Sequence, residues 1–330
     1  MKKYLYIALA AAALTSCSSD DTLELNQEAI SFGKAFVGNS TRATDPSYGS
    51  ENKLTAFKVW GNVISTNNTA VGIFADDDVT GTLGENSVWS RTTKTQYWIT
   101  DAKYHFAAVV NADEESGKSK VTLGADQLPA TIEYTADGSK DLLYAKSIEY
   151  TGKATGNDLV KFDFAHLLSK VKFNLSNTIP TTNNSIAVAQ YTYTLTDISI
   201  TNAITQGTYT VNDTWDDTKK EYIYNGTWTS KAAAGQTFDA IEGVTNGTNK
   251  DCANEKLLIP LENAAVSCKV NLYYEGNLIS SVTKTTTIAK LEPGCAYSVN
   301  VIASLNNTIQ FTVTEDPSWT NADGGTITVQ

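Results

Sequence analysis

Apolar and polar residues alternate with a period of two in segment after segment of this chain. Tyr104-x-Phe106-x-Ala108-x-Val110, Val171-x-Phe173-x-Leu175, Val266-x-Cys268-x-Val270-x-Leu272-x-Tyr274, Tyr297-x-Val299-x-Val301 and Ile309-x-Phe311-x-Val313 are the cleanest runs. Shorter ones occur at Ile30-x-Phe32 with Phe36, Phe57-x-Val59 with Trp60, Phe162-x-Phe164 and Ile327-x-Val329. Successive side chains of a strand point to opposite faces, so the pattern predicts half-buried strands. The many Thr, Tyr and Val residues suit strands as well. Turn signals separate the runs, among them Asn225-Gly226, Asn246-Gly247, Glu275-Gly276-Asn277, Pro293-Gly294 and Asp323-Gly324-Gly325. No amphipathic stretch exceeds about two helical turns, and Ala165-His166-Leu167-Leu168 reads as one helical turn at most. The predicted class is all-β, built as antiparallel sandwiches.

The first residues follow a different rule. Lys2 and Lys3 precede an apolar run from Tyr4 to Leu14, which has the length of an export-signal core and is too short to span a bilayer. The run ends in Leu14-Thr15-Ser16-Cys17, which resembles a bacterial lipobox: a branched apolar residue, two small residues, then the cysteine that receives lipid. Residues 1–16 are read as a lipoprotein signal peptide and Cys17 as the lipidation site. Each buried acyl methylene contributes about 0.8 kcal/mol to such an anchor. Ser18 rather than Asp follows Cys17, which by analogy favours the outer membrane, and Ser18-Ser19-Asp20-Asp21 resembles a short acidic surface tag. Residues 17–45 are assigned to a tether and first strand, a candidate propeptide. The remaining length divides near 165–172 into two units, 46–168 and 169–330. Residues 176–190 and 213–256, poor in alternation and rich in Asn, Gly and Thr, read as surface loops.

Charge and chemistry narrow the function. The 330-residue chain carries a net charge of −11, which becomes −13 once Lys2 and Lys3 leave, and its only arginines are Arg42 and Arg91. That balance argues against nucleic acid as a partner. Cys252, Cys268 and Cys295 are odd in number, so at least one is unpaired or pairs between chains. Cys268 and Cys295 fall in apolar segments and read as small buried side chains, although export also permits a pair to oxidise. No Cys/His cluster predicts a zinc site. The two histidines, His105 and His166, stand in no GxSxG, HExxH or phosphate-loop frame and read as structural. Asp76-Asp77-Asp78 lacks the spacing of a calcium loop and reads as a solvated turn. The six tryptophans read mostly as core and edge residues. No enzyme activity, cofactor or metal is assigned.

Several segments, in order along nearly the whole chain, resemble the fimbrillin superfamily, the subunits of type V pili. They are Val88-Trp89 and Tyr97-Trp98 before Tyr104-His105-Phe106, Asp141-Leu142-Leu143-Tyr144-Ala145, and Phe162-Asp163-Phe164-Ala165-His166-Leu167-Leu168-Ser169-Lys170-Val171-Lys172-Phe173-Asn174-Leu175, the most specific. Leu257-Leu258-Ile259-Pro260, Leu291-Glu292-Pro293-Gly294-Cys295-Ala296-Tyr297, and the end with Ile309–Val313, Trp319 and Ile327–Val329 complete the set. The resemblance implies two transthyretin-like β-sandwich domains, a lipid anchor in the outer membrane, and partnership with other fimbrillin subunits by strand exchange. It further implies that an outer protease cuts after a basic residue near the N-terminus, freeing the first strand so that a strand of another subunit takes its slot. Thr41-Arg42-Ala43 matches that cleavage context, whereas Lys34 lies inside the predicted strand. Ile327 and Val329, behind Gly324-Gly325, are the candidate donor strand. A monomeric surface lipoprotein that binds glycans through exposed aromatics is the alternative.

Overall fold

The computed structural model describes residues 28–37, 56–65, 67–80, 90–91, 95–112, 119–177, 190–305, 308–316 and 326–327. Cys17, Arg42, Ala43 and Val329 lie outside the described residues, as do the side chains of Phe36 and Ile327. The described chain is all-β, with twenty-five strands and no α-helix. In the first half they are β1 (Phe32–Val37), β2 (Ala56–Ile64), β3 (Ala70–Thr80), β4 (Ser90–Arg91), β5 (Lys103–Val110), β6 (Ser119–Leu123), β7 (Pro129–Thr135), β8 (Leu143–Lys146), β9 (Tyr150–Thr151) and β10 (Val160–His166). Then come β11 (Ser169–Asn177), β12 (Tyr191–Ile200), β13 (Ile204–Thr210), β14 (Asp213–Asp216), β15 (Glu221–Tyr224), β16 (Thr227–Ala233), β17 (Gln236–Thr237), β18 (Ile241–Thr245), β19 (Asn249–Asp251) and β20 (Lys256–Leu258). The last are β21 (Leu261–Tyr274), β22 (Asn277–Leu291), β23 (Ala296–Ala303), β24 (Ile309–Asp316) and β25 (Thr326–Ile327).

Four larger sheets result. The first has the order β1-β10-β8-β5-β2-β3-β4, with β9 beside β5, and a smaller one has the order β16-β13-β7-β6. Between them lies a buried cluster that includes Trp60, Ile132, Tyr144 and Tyr209. The other two sheets, β19-β11-β23-β24-β25 and β17-β12-β21-β22, share a second core with Phe173, Tyr193, Val270 and Val299. β13 and β16 lie beyond residue 169, yet β13 hydrogen-bonds to β7 and β16 to β13, so a division at 168/169 does not separate the sheets.

The first sheet curls. Phe32 on β1 lies 5.7 Å from Phe74 on β3, although the two strands stand near opposite ends of the strand order. Gly61 on β2 permits that bend: a Cβ there would stand 2.7 Å from the Phe106 ring and 2.8 Å from Phe74. The register between β2 and β3 shifts at the same residue, as expected where a strand turns a corner. The enclosed side holds a third cluster of Phe32, Phe57, Phe74, Trp98, Phe106, Phe162 and aliphatic neighbours.

Four expectations change. Not every ladder is antiparallel, since β1 pairs with β10 and β11 with β23 in parallel. The paired strands are far apart in sequence, and long connections are what parallel pairing requires. Ala165–Leu168 is no helical turn: Ala165 and His166 end β10, and β11 starts at Ser169. Residues 213–256 are mostly strands, β14 to β20. Those strands are short and exposed on much of both faces, so they lack the apolar alternation that marks a half-buried strand. Asp76-Asp77-Asp78 lies within β3, with Asp77 opposite Val59 and Asp78 opposite Lys58, rather than in a turn.

Candidate functional site

The amino-terminal segment is held on two sides. Ile30 N–H donates to the Gln96 carbonyl at 2.9 Å, and Trp98 N–H donates to the Glu28 carbonyl at 3.0 Å. The chain then crosses to β10, where Val160 N–H donates to the Ser31 carbonyl at 2.9 Å and the parallel ladder runs from Phe32↔Val160 to Val37↔Phe164. Ile30 is 3% exposed and Phe32 only 1%. The Phe32 ring lies 6.3 Å from Phe57, 6.1 Å from Phe106 and 6.0 Å from Phe162, edge-on to the first two and stacked on the third. Burial of such a ring contributes about 1.5–3 kcal/mol, with more from edge-to-face geometry. Ile30 and Phe32, two of the three apolar residues of the first alternating run, therefore sit in the core.

A polar latch completes the attachment. One carboxylate oxygen of Glu28 accepts the Asn157 backbone N–H at 2.8 Å and its side-chain amide at 3.0 Å. The Asn157 backbone bond above all, then its side-chain bond, holds the Glu28 pKa below its ordinary value. Nothing in the apolar periodicity signals this latch, because Glu28 precedes the alternating segment.

At the other end of the chain, β25 pairs antiparallel with β24 through only two positions, Ile327↔Val313 and Thr326↔Thr314. Ile327 thus belongs to an end strand of its own subunit's sheet.

The remaining candidates separate. His166, 3% exposed, shares a short hydrogen bond through Nδ1 with a carboxylate oxygen of buried Asp141. His105, on β5, lies 3.3 Å from Glu149, and burial lowers its pKa against the opposing pull of that carboxylate. The two histidines thus engage different carboxylates. No disulfide joins Cys252, Cys268 and Cys295 to one another. Burial pushes Cys268 up to about 12, far from a reactive thiolate. Trp60 and Trp98 are core residues, each 3% exposed, whereas Trp215 is 37% exposed.

The resembling motifs converge on residues 166–171. Leu167 N–H donates to Leu142 O at 2.9 Å, Gly294 N–H to Leu168 O at 2.8 Å, and Lys170 N–H to Cys295 O at 2.9 Å. Ser169 Oγ donates to Glu292 O at 2.7 Å, and Ser169 pairs with Leu258. Segments 141–145, 257–260 and 291–297 thus meet where the chain leaves β10 for β11. A family model described as "Fimbrillin-like" matches residues 41–317. The chain belongs to the fimbrillin-like family. Residues 1–18 of this fimbrillin-like chain match the model of a prokaryotic membrane lipoprotein lipid attachment site, which makes it a membrane-anchored surface lipoprotein. A fimbrial protein from Bacteroides vulgatus is similar over 87% of this chain and 98% of its own, with 14% identity and a TM-score of 0.58. A candidate cell adhesion protein from Bacteroides uniformis has 16% identity over 88% and 98% with a TM-score of 0.49. A fimbrial assembly protein from Parabacteroides distasonis has 13% identity over 87% and 95% with a TM-score of 0.38. The first of these shares the fold. None of the curated proteins matches the chain.

Proposed function

We propose that this fimbrillin-like protein is a structural subunit of a surface pilus, anchored through lipid on Cys17 and assembled by strand exchange after proteolysis between Arg42 and Ala43. It has no catalytic role. In this reading the four larger sheets form two transthyretin-like sandwiches, the first built mainly from 46–168 and completed by β1, β13 and β16, the second from the rest of 169–330. The observation that carries the reading is β1 itself. It ends five residues before Arg42, stands at the end of its sheet, and fills the core with Phe32. Cutting at Arg42 severs this segment from the rest of the chain. Its loss opens an apolar slot beside an unpaired edge of β10, which an incoming strand can fill with alternate side chains and ladder bonds. The donor is the C-terminal strand with Ile327 and Val329, which leaves its own sheet at the cost of a two-residue ladder.

The test is limited proteolysis of the mature chain with a trypsin-like protease, followed by gel analysis without boiling. The uncut chain is expected to be monomeric, and cutting after Arg42 to produce ladders of oligomers. Arg42→Ala should block both steps. Ile327→Asp should permit the cut but weaken oligomers, because a charge is costly in an apolar slot. Cut wild-type protein that stays monomeric at high concentration would refute self-assembly and favour the glycan-binding monomer. Polymerisation of Arg42→Ala at the wild-type rate would refute the processing site.

A further inference from the structure

β8 and β10 part company early. Their ladder holds Ala165↔Tyr144 and His166↔Leu143, and the next positions in register, Phe164 with Ala145 and Asp163 with Lys146, are not paired. The hydroxyl of Tyr224 stands in place of the latter pair. Lys146 N–H donates to that oxygen at 3.1 Å, and the hydroxyl donates to the Asp163 carbonyl at 3.1 Å. Further along, Lys161 N–H donates to the Tyr150 hydroxyl at 3.0 Å. The opening is a cleft of about 530 Å³, within the range of small-ligand sites.

The β14–β15 hairpin forms one wall. Tyr144 donates to Asp213 at 2.8 Å and so ties the hairpin's base to β8. Trp215 Nε1 donates to Asp217 at 3.0 Å, and Tyr222 meets the Trp215 ring edge-on at 5.1 Å. These contacts fix an aromatic pair on a partly exposed hairpin, with no core role for either ring. The Lys146 ammonium lies 5.4 Å from the Tyr222 centroid. Four lysines, Lys146, Lys161, Lys219 and Lys220, line the cleft against two carboxylates, Asp163 and Glu221. That excess is the reverse of the whole chain's −11. Burial, with Glu221 adding to it, raises the Asp163 pKa.

We propose that this cleft binds an acidic oligosaccharide, with a sugar ring stacked on Trp215 and Tyr222 and its carboxylate or sulfate held by Lys146 and Lys161. The C–H face of a pyranose is flat and apolar and suits a fixed aromatic pair, while its hydroxyls suit the polar rim. Acidic glycans are also what a surface-anchored chain meets outside the cell. The site uses β8, β10 and the hairpin rather than β1, so it stands apart from strand exchange.

Calorimetry on the mature, uncut chain tests it with four probes: a galacturonate tetramer, a heparin-derived tetrasaccharide, maltotetraose as a neutral control, and adenosine monophosphate as a non-sugar aromatic anion. At least one acidic saccharide should bind at a single saturable site, at least about tenfold more tightly than maltotetraose or the nucleotide. Trp215→Ala should lower that affinity at least about tenfold. Lys161→Gln should lower it several-fold and flatten its salt dependence, because an exposed ion contact is screened by salt. Lys161 is on the surface, so the second variant decides the matter even if the first misfolds. Absence of acidic-saccharide binding at about 10 mM, equal binding of maltotetraose or the nucleotide, or affinity unchanged by both substitutions would each overturn the assignment.

Discussion

Among the described residues two pairs of strands run parallel, and they are held by different means. β11 and β23 pair without a break over eight positions, from Lys170↔Ala296 to Asn177↔Ala303. Each is flanked on its far side, β11 by β19 and β20, β23 by β24. β1 and β10 pair at four positions with a break in register between Phe32 and Ala35, and β1 ends its sheet. What β1 lacks in ladder it gains in side chains, since Phe32 touches four other rings of the cluster. A strand inside a sheet leaves only when the sheet unfolds. A terminal strand held by a few side chains can open locally, and an equivalent strand can replace it.

The largest expected effect separates these two cases. Phe32→Ala and Phe173→Ala, the latter on β11, should each destabilise the uncut chain by about 3–5 kcal/mol, the usual cost of removing a buried ring. After cleavage at Arg42 and exchange of the strand, the Phe32→Ala penalty should vanish while the Phe173→Ala penalty persists. Urea denaturation before and after the cut reads both. A Phe32→Ala penalty that survives cleavage would mean that β1 stays in place.

The central ladder was the more legible of the two in the sequence. Val171-x-Phe173-x-Leu175 and Tyr297-x-Val299-x-Val301 alternate cleanly because one face of each strand lines the second core. Their parallel pairing was not legible, because period two marks a strand and not its partner. The hairpin of β14 and β15 was missed for a related reason. Asp213–Asp216 and Glu221–Tyr224 are only four residues each and partly exposed, too short for an alternating run to stand out, so their residues read as loop. The cleft and its aromatic pair were therefore illegible, although Trp215 was visible as one tryptophan among six. The motifs around 141, 166, 258 and 293 were legible as text, and only the fold shows that they meet at one junction. β1 was legible as an alternating segment, and Ile327 as part of a terminal one, while the exchange proposed for them rests on Arg42 and Gly324-Gly325 nearby.

A smaller effect tests the far side of β10. The central ladder has a strand on each side, but β10 beyond Asp163 has the hydroxyls of Tyr224 and Tyr150 in place of β8. Tyr224→Phe removes a bridge between Lys146 N–H and the Asp163 carbonyl. Water in the open cleft can satisfy both groups in part, so the expected loss is about 1 kcal/mol rather than the cost of two buried unsatisfied groups. Amide exchange at Lys146 should accelerate, with no change at Val171 to Leu175. Unchanged exchange at Lys146 would mean that the hydroxyl does not substitute for the missing ladder.

The smallest effect is a pH dependence confined to β1. Glu28 binds the Asn157 backbone and side-chain amides as a carboxylate, and its folded pKa lies below the ordinary 4.5. A depressed carboxylate contributes stability that is fully present above 4.5 and is lost as pH falls through the folded value. Acid should therefore loosen the amino-terminal segment before it affects the central parallel ladder, whose two strands pair without a break over eight positions. Protection factors at Ile30 and Trp98, whose amides donate beside Glu28, give the readout. In wild type they should fall on acidification below 4.5, while those of Phe173 and Val299 hold. Glu28→Gln keeps an acceptor oxygen but not the charge, so its protection at Ile30 should be lower at neutral pH and insensitive to acid. If wild type and Glu28→Gln lose protection in parallel, the latch is not what titrates, and β1 is held by Phe32 and its ladder alone.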